Sequence, residues 1–105
     1  MDSQELLAFV VDKADDMKAR DIQKLDVRGK SSVTEFMVVC SGSSSRHVKS
    51  IAENVALEAK KAGEAPLGIE GQDAGERVLV DLGDVILHVM QEDSREFYQL
   101  EKLWG

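Results

Sequence analysis

The chain has 105 residues, 43% of them hydrophobic and 31% charged, with a formal net charge of -7 at pH 7. That length suits one domain over residues 1–105 with one hydrophobic core. The acidic balance excludes broad electrostatic capture of nucleic acid, so no direct DNA binding is expected; it suits a Lys/Arg-rich protein partner better.

In chain order, Leu6, Val10, Ala14 and Met17 fall on one helical face, with Leu7 and Val11 beside them. Asp2 followed by Glu5 resembles a capping box, which predicts a helix from about residue 3 to 19. Ile22, Leu25 and Val27 indicate a short strand closed by Arg28-Gly29-Lys30. The run Phe36-Met37-Val38-Val39-Cys40 reads as a buried strand in hairpin pairing with the first. Gly42-Ser43-Ser44-Ser45 ends that strand. A second helix follows, with Val48, Ile51, Ala52, Val55, Ala59 and Ala62 on one face, Lys60 and Lys61 at its negative end and Gly63 as its cap. Pro66 blocks continuation. Leu67-Gly68-Ile69 is then a short third strand, expected parallel to the second through a right-handed crossover.

Residues 70–76 form a polar loop. Two apolar runs, Val78-Leu79-Val80-Asp81 and Val85-Ile86-Leu87-His88-Val89-Met90, meet at Gly83-Asp84, a two-residue hairpin turn. A last helix is predicted, with Asp93 and Glu96 as a capping pair and Phe97, Leu100, Leu103 and Trp104 on one face. The order α-β-β-α-β-β-β-α implies an α/β fold: a mixed sheet of about five strands flanked by helices. Cys40 is the only cysteine, which suits a reducing compartment. No apolar run nears the roughly 20 residues that span a bilayer. The start Met1-Asp2-Ser3-Gln4-Glu5 is acidic where a targeting peptide is basic, so a cytoplasmic protein with no membrane association is expected.

Few residues offer chemistry. Ser43, Ser44, Ser45 and Arg46 stand between a strand and a helix N-terminus, where free N–H groups and a guanidinium suit an anion. Ser at a helix start is also an ordinary N-cap, and the P-loop spacing is missing. A Gly-Ser turn there is shared with nucleotidyltransferases, which need paired carboxylates to hold Mg²⁺. Glu53 stands alone on its helix, and Asp81 and Asp84 are three apart across a turn rather than alternating on a strand. Cys40, His47 and His88 have no short-range ligand pair among them for zinc. A Cys40–His88 dyad requires their two strands to be neighbours. No catalytic set, metal or cofactor is expected. Asp81 fits turn chemistry or a basic partner. Tyr98 and Trp104 are of the types enriched at interface hot spots.

Six stretches together resemble the RsfS/Iojap (YbeB) family of ribosomal silencing factors. The first is Asp26-Val27-Arg28-Gly29-Lys30-Ser31-Ser32 with Thr34 and Phe36, followed by Gly42-Ser43-Ser44-Ser45-Arg46-His47-Val48 and Gly68-Ile69-Glu70-Gly71. Then come Leu79-Val80-Asp81-Leu82-Gly83-Asp84-Val85, His88-Val89-Met90, and residues 95–104. The resemblance implies a non-catalytic α/β domain of nucleotidyltransferase-like shape, a homodimer in isolation. It implies binding to the large ribosomal subunit through ribosomal protein L fourteen, steric blocking of subunit association, and repression of translation under nutrient limitation. Related organellar members act in large-subunit assembly. By position, Arg77, Val78, Asp81, His88, Met90 and Tyr98 are the expected contact residues. Many relatives carry Trp at the position of Arg77, which here becomes a charged, amphipathic contact.

Overall fold

The computed structural model describes residues 1–92. The elements are α1 (Ser3–Asp16), β1 (Arg20–Asp26), β2 (Phe36–Gly42), α2 (Ser45–Lys61), β3 (Gly68–Glu70), β4 (Arg77–Asp81) and β5 (Val85–Gln91). The expected closing helix, with Asp93, Glu96, Phe97, Tyr98, Leu100, Leu103 and Trp104, lies outside the described residues.

Local chemistry sets both helix boundaries. The α1 capping box forms in full: Asp2 Oδ1 accepts from the Glu5 N–H at 2.8 Å, and Glu5 Oε1 accepts from the Asp2 N–H at 3.1 Å. The helix stops at Asp16, short of the expected 19, because Lys18 turns left-handed at φ 59°. The Lys18 and Ala19 N–H groups then donate back to the Asp15 and Ala14 carbonyls at 2.8 and 3.2 Å, a Schellman closure. Helix α2 begins at the Ser44 cap. It ends in the same way, with the Gly63 and Glu64 N–H groups donating to Lys60 and Ala59 carbonyls at 3.1 and 2.8 Å. Gly63 thus takes its expected capping place.

The sheet order is β1-β2-β5-β4-β3, with β2 and β5 parallel and every other pair antiparallel. The β1–β2 and β4–β5 hairpins form as expected. Strand β3 runs in the same direction as β2 but does not lie beside it. That slot is taken by β5, whose residues from Val85 to Met90 are all buried. The three-residue β3, largely exposed, fits only an edge.

Strand alternation sorts the sheet into two faces. Phe36, Val38 and Cys40 of β2, Val85, Leu87 and Val89 of β5, and Val78 and Val80 of β4 share one core with Leu6, Val10 and Ala14 of α1 and Val48, Ile51, Ala52, Val55 and Ala56 of α2. Both described helices therefore pack on one face of the mixed α/β sheet. The other face carries Met37, Val39 and Ser41 of β2, Ile86, His88 and Met90 of β5, and Arg77, Leu79 and Asp81 of β4, as the register requires.

Candidate functional site

The β4–β5 hairpin organises the expected contact residues. Gly83 has φ 86° while Asp84 keeps a negative φ, so glycine fills the left-handed position of the two-residue connection. Asp81 Oδ1 accepts from the Gly83 N–H at 2.9 Å, and the Leu82 N–H donates to the Val85 carbonyl at 2.9 Å. Asp81 is therefore a turn residue, still half-exposed. At the other end of β4, Gly71 has φ 85°, and a Cβ built on it falls 2.1 Å from the Arg77 carbonyl oxygen. Only glycine lets the 71–76 loop pass so close to β4. Glu70, Gly71, Arg77 and Leu79 line a shallow hollow of about 180 Å³ there.

Arg77 and His88 meet on the face of the sheet away from α1 and α2. Arg77 Nη2 lies 3.3 Å from His88 Nδ1. A guanidinium only donates, so Nδ1 accepts and the ring proton sits on Nε2. His88 is 3% exposed, and Nε2 has no hydrogen-bond partner. Burial, and next the Arg77 charge, push the His88 pKa down to about 4, so the ring is neutral at physiological pH. Met90 is buried on the same face, opposite Arg77 in the register.

One expected contact residue is misplaced. Val78 is 0% exposed and lies in the core under the helices, because alternation along β4 turns it away from Arg77 and Leu79. It has no surface to offer a partner. Tyr98 lies outside the described residues.

The serine loop serves the helix start. Ser44 Oγ caps the His47 N–H at 3.1 Å, and the Ser43 N–H donates to His47 Nδ1 at 2.9 Å. His47 Nε2 is therefore the protonated nitrogen, and it donates to the Met17 carbonyl at 2.8 Å, tying α2 to the end of α1. The Ser45 side chain packs where Gly75 passes, and Arg46 is exposed. Ser44 thus takes the ordinary capping role of serine at this place, and Ser43 is tied to the His47 ring.

No dyad joins Cys40 to His88. Their strands are neighbours, yet Cys40 pairs with Val89 and faces the helices, while His88 pairs with Val39 and faces away. Among the described residues no group of three or more His, Cys, Asp or Glu could hold a metal ion, and no helix is long and apolar enough to cross a membrane.

Sequence reasoning missed the architecture of the β1–β2 connection. Arg28 forks onto Asp26 at 3.0 and 2.7 Å and lies over the Phe36 ring at 4.9 Å. The hydrogen bonds from Arg28 hold the Asp26 carboxyl below its ordinary range. Spacing of two between Asp and Arg is the only signal the sequence carries for this clamp.

The family model described as "Ribosomal silencing factor during starvation" matches residues 1–105. This chain belongs to that family. The ribosomal silencing factor of Haemophilus influenzae is 50% identical over 100 residues, covering 95% of this chain and 98% of the relative. A crystal structure of a Chromobacterium violaceum protein superposes with a TM-score of 0.98 at 41% identity, covering 100% of this chain and 88% of that one. The mouse protein named "Mitochondrial assembly of ribosomal large subunit protein 1" is 37% identical over 89 residues, covering 82% of this chain and 39% of the relative. Ribosomal silencing factors are regulators of translation, and the resemblance read from the six stretches thus points to the right family. In this member the core includes Val78 and the described helices share one face of the sheet.

Proposed function

We propose that this protein is a cytoplasmic ribosomal silencing factor that acts by bulk and fit. It binds the large ribosomal subunit through ribosomal protein L fourteen, occupies the face where the small subunit docks, and so represses translation when nutrients are short. The observation that carries this reading is the match of the silencing-factor family model over the full chain. Charge supports it, because a net charge of -7 suits a basic ribosomal protein. Among the described residues, the serine loop and His47 are engaged with each other and Cys40 and His88 face opposite ways, which supports binding rather than turnover.

The contact surface proposed is the side of the β4–β5 hairpin away from α1 and α2: Arg77 and Asp81 over the buried His88 and Met90, with Tyr98 from beyond the described residues. Val78 is left out because the core holds it. Arg77 and Asp81 are half-exposed and present the surface; His88 and Met90 lie beneath it and support its shape. The fold has the nucleotidyltransferase-like shape without the paired carboxylates, and the free protein is a homodimer.

The test is co-sedimentation with isolated large subunits, followed by gradient analysis of joined ribosomes with the protein in excess. Binding to the large subunit and loss of joined ribosomes are expected. Recovery of the protein only in the unbound fraction at low salt, or unhindered joining at saturation, refutes the proposal. A second reading, a large-subunit assembly factor, is favoured by the name of the mouse relative. Accumulation of large-subunit precursors on depletion, with joining of mature subunits unaffected, would select it.

A further inference from the structure

The apolar surface of helix α1 extends beyond its buried face: Leu7 and Val11 pack against the margin of the core and stay partly exposed. Leu6, Val10 and Ala14 face the sheet, while Leu7 and Val11, about 100° further round, form a second, half-buried stripe. That stripe overhangs β1, which sits at the end of the sheet and, among the described residues, pairs only with β2. Between them runs a groove of about 480 Å³, floored by Leu7, Val11 and Ile22 and rimmed by Asp12, Asp15 and Lys24. Arg20, Asp21, Gln23, Lys24 and Asp26 of β1 are exposed, and among the described residues no strand pairs with its outer edge, which runs beside an apolar floor. The register shift between Arg20 and Gln23 spoils the first part of that edge for pairing and leaves residues 23–26 regular.

We propose that the outer edge of β1 and this groove take an extended basic peptide as an added strand. An aliphatic side chain of that peptide lies on Leu7, Val11 and Ile22. A Lys or Arg two residues along, on the same face, reaches Asp12 and Asp15. Strand addition supplies main-chain hydrogen bonds for affinity, and alternate side chains supply selection. Charge decides the occupant: Asp15 and Asp12, the latter 3.5 Å from Lys13 Nζ, stand on the rim against Lys24, in a chain of net charge -7. The groove lies on the helix side of the sheet, since Lys24 pairs with Val38, whereas the hairpin surface lies on the other side. The two sites can be occupied together, and this one stands whatever the subunit-binding experiment returns.

The test is fluorescence anisotropy of the full chain with a labelled Thr-Val-Thr-Lys-Thr-Val-Thr-Lys peptide at low salt. Saturable binding is expected, weakened about tenfold or more when Glu replaces Lys in the peptide, or in the Asp12→Lys/Asp15→Lys double variant. Two N-methylated peptides, each blocking one set of alternate amides, test strand pairing; the one blocked on the β1-facing side loses binding. Both aspartates are exposed, so the variant keeps its melting temperature; if it does not, Asp15→Asn replaces it. Absence of saturable binding, equal binding of the Lys and Glu peptides, or indifference to both N-methylated peptides overturns the proposal. So does sedimentation showing that a second copy of the chain fills the groove and excludes the peptide.

Discussion

His88 links the face of the sheet away from α1 and α2 to a measurable pH dependence. Its pKa lies at about 4 in the fold, against an ordinary value of 6.5, because the ring is buried and faces the Arg77 guanidinium. Between those two values the unfolded chain holds a proton that the folded chain refuses, so unfolding takes up protons and stability falls as pH falls. The contribution is fully present above about pH 6.5, declines through the window and is spent below about pH 4. At about 1.4 kcal/mol per pKa unit the full loss is about 3 kcal/mol, a large share of the stability of a small domain. Asp2 and Asp26 also have lowered pKa values, Asp2 through hydrogen bonds from the first turn of α1 and Asp26 through Arg28. Their ordinary value is 3.8, so their contributions are lost only below the His88 window. Urea unfolding at pH 7.5 and 4.5 measures the difference. His88→Leu fills similar space, removes the titrating ring and removes the buried, unpartnered Nε2–H, whose burial costs about 1–3 kcal/mol. The wild type is expected to lose most of the 3 kcal/mol, and His88→Leu to lose much less. His47 is present in both proteins, so the difference between the two curves belongs to His88. An NMR titration placing His88 near 6.5, or parallel pH curves for the two proteins, refutes the reasoning.

Val78→Ala removes methyl groups from the sealed core under α2 and lowers stability by about 2 kcal/mol in urea melts, whereas a surface contact residue leaves it nearly unchanged. Lys18→Gly relieves a left-handed residue at the end of α1 and raises stability by about 1 kcal/mol, a rise of several degrees in Tm by calorimetry. Gly71→Ala places a Cβ against the Arg77 carbonyl at a left-handed φ. It is expected to cost about 2 kcal/mol or more and to perturb the Arg77 and His88 signals in heteronuclear NMR spectra; unchanged spectra would contradict the close approach.

The first helix and the β4–β5 turn were legible because their signals are local. Asp2 and Glu5 stand at capping-box spacing, Leu6, Val10 and Ala14 keep helical period, and Gly83-Asp84 marks a tight turn. Each depends on residues within a few positions of one another. The Arg28 clamp on Asp26 was not legible, because Asp-x-Arg acquires meaning only when Phe36 comes beneath it from the next strand.

By itself the sequence determined the order and type of the described elements, the two hairpins, the caps and the family. These follow from periodicity, turn chemistry and ordered motifs, which need no knowledge of neighbours distant in the chain. Only the tertiary structure decided that β5 separates β2 from β4 and β3, that α1 and α2 share one face, and that Val78 is sealed while Arg77 and Asp81 remain half-exposed. It alone put Cys40 and His88 on opposite sides of adjacent strands. The physical reason is that a side chain's surroundings in a sheet come from register across strands. Alternation shows that neighbours in sequence point opposite ways, and only packing against the helices decides which way is in.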